Sequence, residues 1–196
     1  MALMNVLASG ALAAAPQVDS IAPNSGPLTG LTAVTINGQF SGVLTVTFGG
    51  LPGIITGNSA TDITVLTPAG LEGAADVVVS TLLESTTVTS GFTYQIPPVI
   101  ISLLVATGNV SAAFSYQITS LGTAPLSFSA NPLPPGLTLS GNTISGTPTQ
   151  AGIFTVNIGA SNGAGSDSRP LVITITALLV PSISAVSPAF GLTSGG

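Results

Sequence analysis

The 196-residue chain has no cysteine, histidine, lysine or tryptophan, and its one cation is Arg169. Each gap closes a class of chemistry. Without cysteine there is neither a disulfide nor a thiolate nucleophile. Without Cys and His, zinc loses its ordinary ligands. A serine nucleophile needs a base beside it, and His, Cys and Lys are all missing. Six carboxylates (Asp19, Asp62, Glu72, Asp76, Glu84 and Asp167) stand against Arg169, for a net charge of −5. Phosphate contacts need cations, so nucleic acid is excluded as a partner. Anionic membrane surfaces are excluded on the same ground. Helical periodicity is missing too, since no window sustains apolar residues at i, i+3, i+4 and i+7.

The carboxylates are too sparse for a reaction centre. Glu72 and Asp76 are the nearest acidic pair, flanking "GAA", and they read as a solvated loop pair rather than an acid–base couple. Calcium wants six to eight oxygens, several from carboxylates. "ASNGAGSDSRP" at 160–170 offers Asp167 without any DxD cluster, and the proline link "IPPV" has no acid. Sugar faces stack rings on exposed aromatics. Here Tyr94 and Tyr116 each share a strand face with a phenylalanine two residues earlier, which is the pattern of core packing. "GNTISGTPTQAG" lacks a strand-to-helix setting and is a turn, not a phosphate cradle. "NVS" at 109–111 reads as a chance match to a glycosylation acceptor. The expectation is a non-enzyme without metal or cofactor.

Hydroxyls replace charge as the polar surface. Ser and Thr number 48, the apolar fraction is 45 % and charged residues make up 4 %, against about 25 % in ordinary domains. Such a surface resists association poorly. The length suits two domains of roughly 100 residues.

Period-two alternation runs through the chain. Val34 and Ile36 share one face of "TAVTING". Leu44, Val46 and Phe48 share one face of "VLTVTFGG". Ile63 pairs with Val65, and Phe92 with Tyr94. Gly and Pro punctuate these runs at "NSGPLTG", "FGGLPG" and "TPAGLEG". Short strands at this density predict a β-sandwich. "YQIPPVI" at 94–100 is a stiff boundary, because two prolines remove two backbone donors. Beyond it a second strand-rich block contains "LPPGLTLSGNTISGT", where Ser140-Gly141-Asn142 closes a hairpin.

The motifs carry a resemblance. Pro16, Ile21, Pro23, Ser25-Gly26-Pro27, Gly30, "VTINGQF", "VTFGG", "VLTPAG" and "GFTY" make the first block similar to an IPT/TIG immunoglobulin-like domain. "FSYQIT", "LPPGLTLSGNTISGTPTQAGIFTVNIGASNGAG" and "LVITIT" make the second similar to a bacterial "Putative Ig" domain of cadherin-like type. "PSISAVSP" at 181–188 repeats the pattern of "PQVDSIAP" at 16–23 and resembles the start of a further IPT/TIG repeat. The expected class is all-β, with tandem immunoglobulin-like β-sandwiches. Its expected divisions are an apolar arm at 1–15, sandwiches at 16–96 and 97–178, and a further first strand or exchanged strand at 179–196. The arm has three readings: a retained arm, the last strand of a preceding repeat, or a signal-like segment lacking a basic start. It is too short and interrupted to span a bilayer.

What the resemblance implies is a spacer, adhesive stalk or accessory module of a large bacterial extracellular protein. The composition fits a bacterial cell surface or a virion surface. The leading expectation is a subunit that assembles into a filament or surface layer by β-strand addition. The strand-exchange residues would be Ile183, Ala185, Val186 and Phe190, together with Val6, Leu7 and Leu12 of the arm. The expected partner is therefore another copy, with no nucleic acid and no membrane insertion. A glycan or surface receptor stays open.

Overall fold

The computed structural model describes residues 14–177. Among them every regular element is a strand. The first nine are β1 (Gln17–Ala22), β2 (Ser25–Pro27), β3 (Ala33–Gln39), β4 (Thr45–Phe48), β5 (Leu51–Pro52), β6 (Ile54–Asn58), β7 (Asp62–Leu66), β8 (Gly73–Ser80) and β9 (Ser85–Gln95). They form two facing sheets, ordered β1-β3-β7-β6 and β2-β9-β8-β4-β5. The first stretch serves both. β1 pairs antiparallel with β3, the chain passes Pro23, and β2 then pairs parallel with β9 in the other sheet.

Alternation places the core. Val34 and Ile36 of β3 and Ile63 and Val65 of β7 are fully buried on one inner face. Val46, Phe48, Val77, Val79, Phe92 and Tyr94 fill the other. Phe92 is the keystone: its ring meets Phe48 edge-on at 5.4 Å and Tyr94 at 5.0 Å, within the favourable range for aromatic pairs. Tyr94 keeps its phenol satisfied by donating to the Pro68 carbonyl at 2.8 Å. Its ring lies flat against Gly70, where a Cβ would come within 2.5 Å. Leu44 departs from its expected place beside Val46 and Phe48. It is 59 % exposed, and Val43 is buried instead, because β4 starts at Thr45 and the chain bends just before it.

The second nine strands are β10 (Val99–Ile100), β11 (Val105–Asn109), β12 (Phe114–Gln117), β13 (Ser120–Leu121), β14 (Ser127–Asn131), β15 (Leu137–Ser140), β16 (Thr143–Gly146), β17 (Gly152–Asn162) and β18 (Gly165–Thr176). A sheet ordered β11-β18-β17-β14 faces one ordered β12-β16-β15, and β10 pairs with β13 at the end nearer the first sandwich. The core here is aliphatic: Ile118, Ile144, Val156, Ile158, Leu171 and Ile173 are fully buried. The hairpin expected at 140–142 joins β15 to β16. Gly141 takes a left-handed φ of 57° there, and Asn142 ties the turn to Ile118 through its backbone carbonyl and its side-chain amide.

Candidate functional site at the junction of the sandwiches

The boundary segment Gln95-Ile96-Pro97-Pro98 has lost two backbone donors to proline. Its remaining polar groups are met from the second sandwich. The Ile96 amide donates to Thr123 Oγ1 at 2.8 Å. The Ile96 carbonyl accepts from the Thr123 amide at 3.0 Å and from Asn162 Nδ2 at 2.8 Å. Asn162 Nδ2 also donates to the Thr123 carbonyl at 3.0 Å, while its Oδ1 accepts from the Ala164 amide at 2.9 Å. The Thr123 hydroxyl in turn donates to Glu72 Oε1 of the first sandwich. Thr123 is thus the hub of a network drawn from segments 27 and 51 residues away in sequence.

Two glycines permit this approach. A Cβ at Gly163, on the tip of the β17–β18 hairpin, would lie 1.9 Å from Ser25 Oγ and 2.8 Å from Gln95 Oε1. A Cβ at Gly122 would lie 2.9 Å from Pro98 Cα. The tip therefore sits directly on β2 and the end of β9. Gln95 is 8 % exposed, and its Oε1 has no hydrogen-bond partner.

Nearby, a cleft of about 510 Å³ is lined by Phe48, Leu51, Leu71, Glu72, Asp76 and Tyr94, among others. Its chemistry is not that of a reaction centre. Asp76 Oδ1 accepts from the Ser90 amide at 2.8 Å, Glu72 is engaged by Thr123, and the Tyr94 phenol points to Pro68. Burial raises the Tyr94 pKa above its ordinary value, partly offset by a hydrogen bond with the Thr67 hydroxyl. Asp76 also departs from the loop expected for it, standing within β8.

Asp167 performs a separate task. It accepts from the Ile100 amide at 2.9 Å and the Ser168 amide at 2.8 Å, and pairs with Arg169 Nε at 3.2 Å. Its carboxyl is held below the usual carboxylate range chiefly by the Ile100 hydrogen bond; desolvation opposes this, and the Arg169 and Ser168 contacts add to the lowering. This pins β10 to β18. Among the described residues no group of three or more His, Cys, Asp or Glu could hold a metal.

Sequence reasoning treated the proline link as acid-free and missed Glu72, which arrives from a distant loop. Thr123 carried no signal beyond lying in a turn, and Asn162 none beyond ending a strand. The expected strand-exchange residues Val6, Leu7, Leu12, Ile183, Ala185, Val186 and Phe190 lie outside the described residues.

Comparison with known proteins follows the same division. The family model of the IPT/TIG domain matches residues 16–96, and that of the Putative Ig domain matches residues 97–176. No curated protein matches the chain. Among solved structures, a putative alpha-galactosidase/melibiase from Bacteroides fragilis is 30 % identical over 40 % of this chain and 17 % of its own, with a TM-score of 0.39. A second putative alpha-galactosidase from that organism is 36 % identical over the same shares, also at 0.39. An I-band fragment of titin is 11 % identical over 83 % of this chain and 66 % of its own, at 0.48. The chain thus spans about a sixth of the length of the two galactosidases. The two sandwiches joined at the proline link are therefore an IPT/TIG domain followed by a Putative Ig domain.

Proposed function

We propose that this chain is a non-catalytic structural segment of an extracellular protein, and that its work is to hold two sandwiches at a set angle as a spacer. The observation that carries this reading is the Thr123 hub, which ties the proline link, the first sandwich and the second into one hydrogen-bonded joint. A flexible linker would leave these groups to water. An extracellular setting is supported by the Ser/Thr-rich, charge-poor composition. The absence of cysteine makes a direct test clean. Spin labels on cysteines introduced at Ser59 and Ser140, one exposed position in each sandwich, report the spread of inter-domain distances. A single narrow distribution that broadens in Asn162→Ala is expected. A distribution already broad in the parent protein would sink the reading.

Assembly by strand addition through Ile183, Ala185, Val186 and Phe190 is the second reading. It is supported by the recurrence of the Pro-led pattern of residues 16–23 at residues 181–188.

A further inference from the structure

Exposed sheet edges invite pairing, and folded proteins blunt them with proline, charge, bulges or short length. Nearly every edge among the described residues carries such a device. β1 holds Asp19 and a register shift between Val18 and Ser20. β6 has a shift between Ile55 and Gly57. β5 and β2 are two and three residues long and contain Pro52 and Pro27. β14 is bracketed by Pro125 and Pro132. β12 and β15 are four residues each. β11 has none of the other protections: Val-Ala-Thr-Gly-Asn is five residues long, proline-free, uncharged and in unbroken register with β18.

The outward side of β11 follows from its pairing. The Leu104 carbonyl accepts from the Val172 amide and the Val110 amide donates to the Thr176 carbonyl, so the even-numbered residues turn their backbone groups toward β18. By alternation, the N–H and C=O groups of Val105, Thr107 and Asn109 point away from the sheet. The strand is held ready, because Tyr116 donates to the Leu103 carbonyl just before it and Gly108 packs so closely on Phe114 that a Cβ would lie 2.8 Å from the ring. Around it Leu103, Val105 and Ile153 are 78 %, 66 % and 75 % exposed.

Charge selects the occupant. Residues 85–166 contain no charged side chain. The second sandwich's two charges, Asp167 and Arg169, neutralise each other at 3.2 Å, whereas the first sandwich carries five carboxylates and no cation. In a two-fold contact every charge approaches its own image, so like copies repel through the first sandwich and meet no repulsion through the second. We propose that β11 is a pairing edge for a second copy of this chain, with the two β11 strands antiparallel about a two-fold axis at Thr107. In that register Thr107 meets Thr107 of the second copy and Val105 meets its Asn109; the Asn109 carbonyl, which already accepts from the Ala112 amide at 3.3 Å, takes the new bond on its second lone pair. Cross-strand Thr–Thr pairs are themselves favourable. This inference stands on charge and edge geometry rather than on the junction, so it can fail while the spacer reading holds, and the reverse.

The test uses the full chain. Hydrogen-bonded antiparallel pairs set Cα atoms about 5.5 Å apart, within disulfide range. Under mild oxidation Thr107→Cys is expected to cross-link to its own copy at least about tenfold faster than Ser127→Cys on the opposite edge, the rate difference reflecting occupancy of the paired state. In sedimentation equilibrium the parent chain is expected to dimerise. Thr107→Lys and Thr107→Glu are each expected to weaken dimerisation by about tenfold or more, and an equimolar mixture of the two to restore it. Circular dichroism of each variant checks that it is folded, which is expected because the side chain at 107 is exposed and the β18 ladder is made by backbone groups. A monomeric parent chain, equal cross-linking at both edges, or a dimer indifferent to Thr107→Lys would each overturn the proposal.

Discussion

The two sandwiches share an architecture and divide the chemistry unequally. Five carboxylates and no base lie in the first; Asp167 and Arg169, paired, are the only charges of the second. The whole net charge of −5 therefore belongs to the IPT/TIG domain. Their cores differ as well. The first is centred on three aromatic rings in edge-to-face contact, Phe48, Phe92 and Tyr94, whereas in the second isoleucine is foremost and the aromatics, Phe114 apart, pack from its margin. One sandwich thus gathers its largest side chains at one point of the core and carries all of the net charge. The other spreads its packing and presents a neutral surface. The lesson is that similar folds in one chain can meet solvent by opposite means.

The sharpest way to break the comparison is at the keystone. Phe92→Ala removes the ring that both other aromatics contact, and buried Phe→Ala changes cost about 3–5 kcal/mol. In calorimetry the first sandwich's transition is expected to fall steeply while the second's stays near its own midpoint. Equal loss in both transitions would mean that the joint at Thr123 makes the chain one cooperative unit.

A smaller difference lies in pH. Tyr94 has a raised pKa in the folded state, so its contribution is full below the ordinary tyrosine value of about 10 and is lost as pH rises through the folded value. Asp167 has a lowered one. Its contribution is present above the ordinary carboxylate value of about 3.9 and is lost as pH falls through the folded value. Melting curves of Tyr94→Phe and Asp167→Asn against the parent chain check both signs: the first should flatten the alkaline decline and the second the acid one. The smallest expected effect is that of salt. Screening the carboxylates of the first sandwich should stabilise it more than the second, by less than about 1 kcal/mol between low and physiological ionic strength, and so raise its midpoint slightly more. An equal shift in both would show that the charge asymmetry has no energetic consequence.

Much of the fold was legible because burial on a sheet obeys period two. Val34 with Ile36, Ile63 with Val65 and Phe92 with Tyr94 could be assigned to inner faces from spacing alone. Leu44 could not. Its spacing to Val46 fits the pattern, but whether a residue lies inside a strand or in the bend before it depends on where β4 meets β8. The junction was legible only as two prolines. Glu72 and Thr123 are ordinary polar residues in loops and Asn162 ends β17, and nothing local distinguishes them from their neighbours.

The sequence by itself determined the strand-rich class, the boundary at the prolines, the absence of any thiol or imidazole, and the unequal charge of the two halves. These are properties of composition and short-range pattern, and they hold whichever way the strands pair. Tertiary structure alone decided which polar groups meet at the joint and which edge is left unguarded. Both depend on contacts between residues far apart along the chain, such as Glu72 with Thr123 and β11 with β18, whose proximity is set by the packing of whole sheets rather than by the identity of neighbouring residues.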